Sequence, residues 1–253
     1  MRFRRNVLIA ALASVLLASS LYAQTLTVKV PAGDFIMGSS EEDLRAIPQK
    51  LRLGTGHEKP RRRVYLDAFY IDKYPVTNSR FRRFGRSKDD YGPKFNGDRQ
   101  PVVGVTWTQA RDYCKSVGKR LPTEAEWEKA ARGVDGRRYP WGNRWDPSKV
   151  IWVNNSGGKI HPADRTYNTH RSPYGAVDMS GNTWEWISDW YGKDYYPNAP
   201  NRNPKGPASG SVRVLRGGSY LSGNTSNFRA ANRNWHDPDD QLYNVSFRCA
   251  KAP

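Results

Sequence analysis

Histidine and cysteine are scarce in this 253-residue chain, with four of the first and two of the second. His57, His161, His170 and His236 stand far apart without ligand spacing, which removes a three-histidine metal site. None of them enters a Ser-His-Asp arrangement for nucleophilic catalysis, and no phosphate-binding glycine loop is present. Linkers, low-complexity stretches and internal repeats are also missing, so nothing divides the chain. Long apolar runs are absent too: the one candidate, Val7 to Ala18, is too short to span a bilayer comfortably. No cysteine lies near it, so a lipid-modified N-terminus is not indicated.

That apolar run follows Arg2, Arg4 and Arg5 and precedes Leu21-Tyr22-Ala23, the pattern of a secretory signal over residues 1–23. The expectation is an exported, periplasmic or secreted protein whose mature part, 24–253, is one domain with a substantial core. The net charge is +17, of which the signal holds three, leaving the mature chain near +14. Such a balance favours anionic partners, yet no nucleic-acid motif accompanies it, and Arg61-Arg62-Arg63 and Arg82-Arg83 also read as solvated faces. Nine Trp and fourteen Tyr against 22 Gly and 17 Pro predict an aromatic core held among turns, with few long elements.

Alternation predicts strands at Leu26 to Val30, Phe35 to Gly38 and Val64 to Ile71. Thr77 is placed to cap a short helix carrying Phe81 and Phe84. Thr106 caps a longer one with Trp107, Ala110, Cys114 and Val117 on its apolar face, ended by Gly118. Thr123 and Glu126 form a capping box for the next, where Glu128 and Arg132 can pair and Gly133 closes the helix. Short strands follow at Ser211 to Leu215 and Tyr243 to Ala250. These features give an irregular α+β fold and no more.

Specific strings go further. Pro31-Ala32-Gly33-Asp34-Phe35-Ile36-Met37-Gly38, Tyr74-Pro75-Val76-Thr77-Asn78, Gly118-Lys119-Arg120-Leu121-Pro122-Thr123-Glu124-Ala125-Glu126-Trp127-Glu128, Asp178-Met179-Ser180-Gly181-Asn182-Thr183-Trp184-Glu185-Trp186, Arg216-Gly217-Gly218-Ser219-Tyr220 and Ser246-Phe247-Arg248-Cys249 occur in one order. Together they resemble the formylglycine-generating (sulfatase-modifying) enzyme family over essentially the whole mature chain. The resemblance implies a C-type-lectin-like α+β domain with two main helices against short twisted sheets. It also implies that Arg120, Glu124 and Glu128 tie loops to helices, since ion-pair networks often imitate sites.

In the family's oxidases a cysteine follows Gly-Gly-Ser-aromatic-X and another lies five residues on. Here those positions read Ser222 and Asn227. Two thiolates hold Cu(I) in that chemistry, and neither a hydroxyl nor an amide replaces one, so no copper and no formylglycine oxidation are expected. Tyr220, Arg229, Arg233 and Trp235 would line the same cleft, each with a structural reading at least as good. The resemblance further implies calcium held by the side chains of Asp178 and Glu185 and the carbonyls of Gly181 and Thr183, hard oxygen donors in a tight loop. A second family calcium site, near Asn154 or Asn155, has no aligned downstream aspartate. Relatives with both cysteines bond the pair matching Cys114 and Cys249, and export would place these two in an oxidising compartment. Two readings stay open: a monomeric binding, accessory or regulatory module for an anionic, peptide or protein partner, and a copper-independent tailoring enzyme using the same cleft.

Overall fold

Apolar alternation and threonine caps set most of the regular structure. The computed structural model describes residues 27–253 apart from 53–54, 86–87, 89 and 164–170; the signal expected at 1–23 and His170 lie outside the described residues. In chain order come β1 (Thr27–Val30), β2 (Gly33–Met37), α1 (Glu41–Arg45), β3 (Arg62–Leu66), β4 (Phe69–Asp72), α2 (Asn78–Arg82) and α3 (Trp107–Ser116). Then follow α4 (Glu124–Arg132), β5 (Trp184–Trp190), α5 (Tyr195–Asn198), β6 (Arg213–Arg216), β7 (Asn234–His236), β8 (Val245–Ser246) and β9 (Ala250–Lys251). The strands form a three-stranded sheet β1-β4-β9, a β2-β3 pair and a four-stranded sheet β7-β6-β5-β8. Within them only β5 and β8 run parallel. Among the described residues no helix is long and apolar enough to cross a membrane.

The caps behave as the residues require. Thr106 accepts from the Gln109 amide and Thr123 from the Glu126 amide, and both third-position side chains reach back to complete capping boxes. Thr77 starts α2 without a side-chain cap, its hydroxyl turned instead to Ser79 at 3.2 Å. Three local expectations are corrected. The run Val64 to Ile71 is two strands, because Asp67 and Ala68 turn between β3 and β4. Val117 is 44% exposed at the end of α3 rather than on its buried face, since the helix turns away after Ser116. The segment Tyr243 to Ala250 is regular strand only at β8 and β9, with buried Phe247, Arg248 and Cys249 between them, the Phe247 and Cys249 carbonyls accepting from the Val76 and Asp72 amides.

Two apolar clusters fill the protein. One packs Trp127, Ala130 and Ala131 of α4 against Phe35, Val64, Phe69 and Ile71 of the first strands. The other packs Trp107, Ala110, Tyr113 and Cys114 of α3 against Trp184, Trp186, Leu215 and Phe247. Burying one such aromatic side chain stabilises by roughly 1.5–3 kcal/mol, so these rings carry what long aliphatic helices supply elsewhere. Two of the indole N–H groups reach across to backbone: Trp107 donates to the Ile187 carbonyl at 2.7 Å and Trp186 to the Val105 carbonyl at 3.1 Å. Cys114 and Cys249 are bonded, with Cα atoms 5.6 Å apart, joining α3 to the segment before β9.

Candidate functional site

Helix α4 is buried on every face, charged residues included. An unpaired buried charge is expensive, and here each one has a partner. Glu128 accepts from the Gly38 amide at 2.7 Å, from Arg132 at 2.9 Å and from the Tyr196 hydroxyl at 2.9 Å, and it pairs with Arg216. Burial alone would raise its carboxyl, but Arg216 and Arg132 overcome that and hold it below the ordinary range. Glu124 takes a two-pronged grip from Arg233 at 2.6 and 2.8 Å. Lys129 donates to the carbonyls of Pro31 and Gly33, both at 2.8 Å, and Arg120 forks onto Glu126 at 2.6 Å. The charges of the signature string therefore tie loops to a helix, as expected. Gly38 is the one residue that fits its place: at φ +80° an added Cβ would lie 2.6 Å from the Glu58 carbonyl.

The expected calcium loop is tight. Asp178, Gly181 and Asn182 all adopt left-handed backbone, and Asn182 fastens the loop by donating to Asp178 at 3.1 Å and to the His161 carbonyl at 3.0 Å. Glu185 is already engaged: Trp127 donates to it at 2.8 Å and Arg248 forks onto it at 2.6 and 2.7 Å. Asp178 differs. Desolvation, with a contribution from Glu185's charge, pushes its carboxyl up to about 7. The buried Thr183 hydroxyl has no partner among the described residues. These oxygen-only donors fit a hard cation in kind; Asp178 accepts one side-chain bond against three on Glu185, and the Gly181 carbonyl accepts from the Thr183 amide at 2.8 Å. Among the described residues no group of three or more His, Cys, Asp or Glu side chains could hold a metal by itself.

At the positions of the family's cysteines, Ser222 accepts from the Ser219 amide at 3.1 Å, and the Asn227 amide donates to the Asn224 carbonyl at 3.1 Å. Both residues close their own loop. The other residues expected around the cleft join different clusters. Tyr220 is buried with Val103 and Ile160. Arg229 forks onto buried Glu58 at 2.5 and 2.6 Å, and Arg233 serves Glu124. Trp235 stacks on Tyr191 with ring centres 4.1 Å apart, edge-on to His57. Beside the loop, Tyr139 stacks on Trp141 at 5.1 Å, and Trp145 stacks on Phe228 at 5.5 Å with Trp152 edge-on to it. The string Tyr139-Pro140-Trp141-Gly142-Asn143 is another of the family's, but periodicity does not show that its rings assemble with Trp145, Trp152 and Phe228, because all of them come from turns.

Next to the same loop lies a cavity of about 310 Å³ lined by Arg61, Arg132, Arg137, Arg138 and Arg229. The Arg61-Arg62-Arg63 run thus divides. Arg61 faces the cavity and Asp43, at 3.2 Å. Arg62 donates to the Tyr196 carbonyl at 2.8 Å and to Asn201 at 2.7 Å. Arg63 stays exposed near Asp34. An open groove of about 890 Å³ shares Ser39 and Arg61 with this cavity and runs past His57 and Lys193.

Comparison with known proteins agrees with this architecture. A family model described as a sulfatase-modifying factor enzyme 1-like domain matches residues 18–253. The formylglycine-generating enzyme of Streptomyces coelicolor is 33% identical over 88% of this chain and 88% of its own length. The serine/threonine-protein kinase pkn1 of Chlamydia caviae is 36% identical over 90% of this chain, which spans only 38% of that protein. Among solved structures, Treponema denticola variable protein 1 superposes with a TM-score of 0.75 at 23% identity, covering 90% of this chain and 95% of that one; it supports the fold alone.

Proposed function

The chain belongs to the sulfatase-modifying factor enzyme family, and from that premise we propose that it works by binding, as an exported accessory or regulatory module without the family's copper-dependent oxidation. The observation that carries this reading is the fate of its thiols. Both cysteines of the sequence are spent on one disulfide, fully buried between α3 and the C-terminal segment, so no free thiol exists. Cu(I) is selected by soft sulfur donors, and Ser222 and Asn227 offer only a hydroxyl, already accepting from the Ser219 amide, and a carboxamide. The binding surface is the face around Ser219 to Arg229, where an aromatic wall and an arginine-lined cavity meet. The fixed guanidinium groups suit an anionic partner, be it a peptide, a glycan or a protein surface, and the adjacent rings add apolar contact area beside them. Calcium at the Asp178 to Glu185 loop belongs to the same proposal, as a structural ion that would fix the loop's left-handed turn.

The test is an incubation of purified protein with a cysteine-containing sulfatase peptide, with and without copper, followed by mass spectrometry. The expected result is an unmodified peptide and no stoichiometric copper under reducing conditions. Peptide aldehyde with bound copper would overturn the proposal.

A further inference from the structure

We propose that the arginine-lined cavity beside the Ser219 to Arg229 loop is a binding site for an oxyanion of the phosphate or sulfate class, which gives the binding role above, on which it rests, a chemical identity. Four of the five arginines around this cavity are matched. Arg61 meets Asp43 at 3.2 Å and Arg137 meets Asp135 at 2.8 Å. Behind them, Arg132 meets Glu128 and Arg229 meets Glu58. Arg138 is the remainder: its guanidinium has no partner among the described residues, so the lining carries one unmatched positive charge.

Two features separate this from an ordinary surface arginine. Arg138 is fixed by its backbone, its amide donating to the Asn143 side chain at 2.9 Å and its carbonyl accepting from the Ala230 amide at 2.8 Å. Its Cα is therefore held at the cavity rim while the charged end stays free. Arg229, only 3% exposed, also lines the cavity, and its Nε is buried without a hydrogen-bond partner. Its two terminal nitrogens are committed to Glu58, so this guanidinium is fixed in the cavity wall while Arg138 is left to meet an arriving acceptor. Guanidinium forks match the oxygen spacing of phosphate and sulfate two at a time. The volume, about 310 Å³, is at the lower end of small-molecule sites; it holds the anion with room for a small attached group, while the neighbouring groove continues outward through Arg61.

The experiment is calorimetric titration of the full chain with inorganic phosphate and, separately, inorganic sulfate, at ionic strength held constant with chloride. Saturable one-to-one binding of either anion is expected, weakened tenfold or more in Arg138→Gln. Arg63→Gln, which removes the same charge from an exposed site outside the cavity, is expected to change the affinity less than twofold. Arg138→Gln breaks no ion pair, and circular dichroism would verify its fold. No saturable binding above chloride, or equal weakening in both variants, would overturn the assignment. Absence of anion binding together with an unmodified peptide in the copper assay would remove this cavity's role and leave the binding proposal standing, whereas aldehyde formation would remove that proposal alone.

Discussion

Replacing both Cys114 and Cys249 by alanine tests the largest single constraint in the molecule. The two residues are 135 positions apart in sequence and both are fully buried. Cross-linking a loop of that length lowers the entropy of the unfolded chain enough to stabilise the fold by about 5 kcal/mol in the chain-entropy model. The Cα separation of 5.6 Å falls within the usual range for a disulfide, so the backbone need not shift to form it. For a domain of this size a loss of 1 kcal/mol lowers the melting temperature by about 2–4 °C, and the double variant should therefore melt roughly 10–20 °C below the oxidised protein. Differential scanning calorimetry without reductant measures it, and wild type in excess reductant should approach the variant's value. A drop of less than about 4 °C would refute the reasoning, because the unfolded chain would then already be constrained by other means.

Asp189 carries a pH prediction. Burial, with Glu124's charge added, pushes its carboxyl up to about 7 in the folded state. The native protein therefore binds this proton more tightly than the unfolded chain does. Its stabilising contribution is full below the unfolded carboxylate range and is lost as pH rises through about 7. Asp189→Asn should flatten the fall in urea-unfolding stability between pH 5 and 7 by roughly 1 kcal/mol per unit, and an unchanged slope would contradict the assignment. Calcium should raise the melting temperature of wild type relative to chelator, by a mass-action effect of about 2.7 kcal/mol at a hundredfold excess over its dissociation constant. Asp178→Asn, which leaves the Glu185–Arg248 pair intact, should lose most of that response, and indifference of the wild type to chelator would mean that the loop closes on its own hydrogen bonds.

What the sequence made legible was local or motif-borne. The Thr106 and Thr123 caps and the Glu128–Arg132 pair stand where spacing placed them, and the Cys114–Cys249 bridge where the family resemblance implied it. Partnership across long separations was not legible. Nothing local in Glu58 announces that it will receive Arg229, 171 residues away, or in Glu185 that Arg248 will hold it. Alternation at Val64 to Ile71 could not show the turn at Asp67, because both halves share the same period. The arginine cavity was hidden for the same reason: Arg61, the stretch from Arg132 to Arg138, and Arg229 lie far apart in sequence, and only tertiary packing makes them neighbours.

The segment from Val245 to Lys251 joins elements laid down far apart before it. β9 completes the sheet begun by β1 and β4, β8 lies along β5, and Arg248 reaches Glu185 as well as the carbonyls of Asp72 and Val177. A ribosome delivers these residues after all their partners. Without them β4 has β1 on one edge and nothing on the other, Glu185 lacks its Arg248 partner and Cys114 has nothing to bond. Native contacts this distant form slowly, since loop closure precedes any gain from pairing. The sheet β1-β4-β9, the Glu185–Arg248 pair and the disulfide are thus all completed by one short segment, which makes Val245 to Lys251 the stretch on which closure of the fold depends.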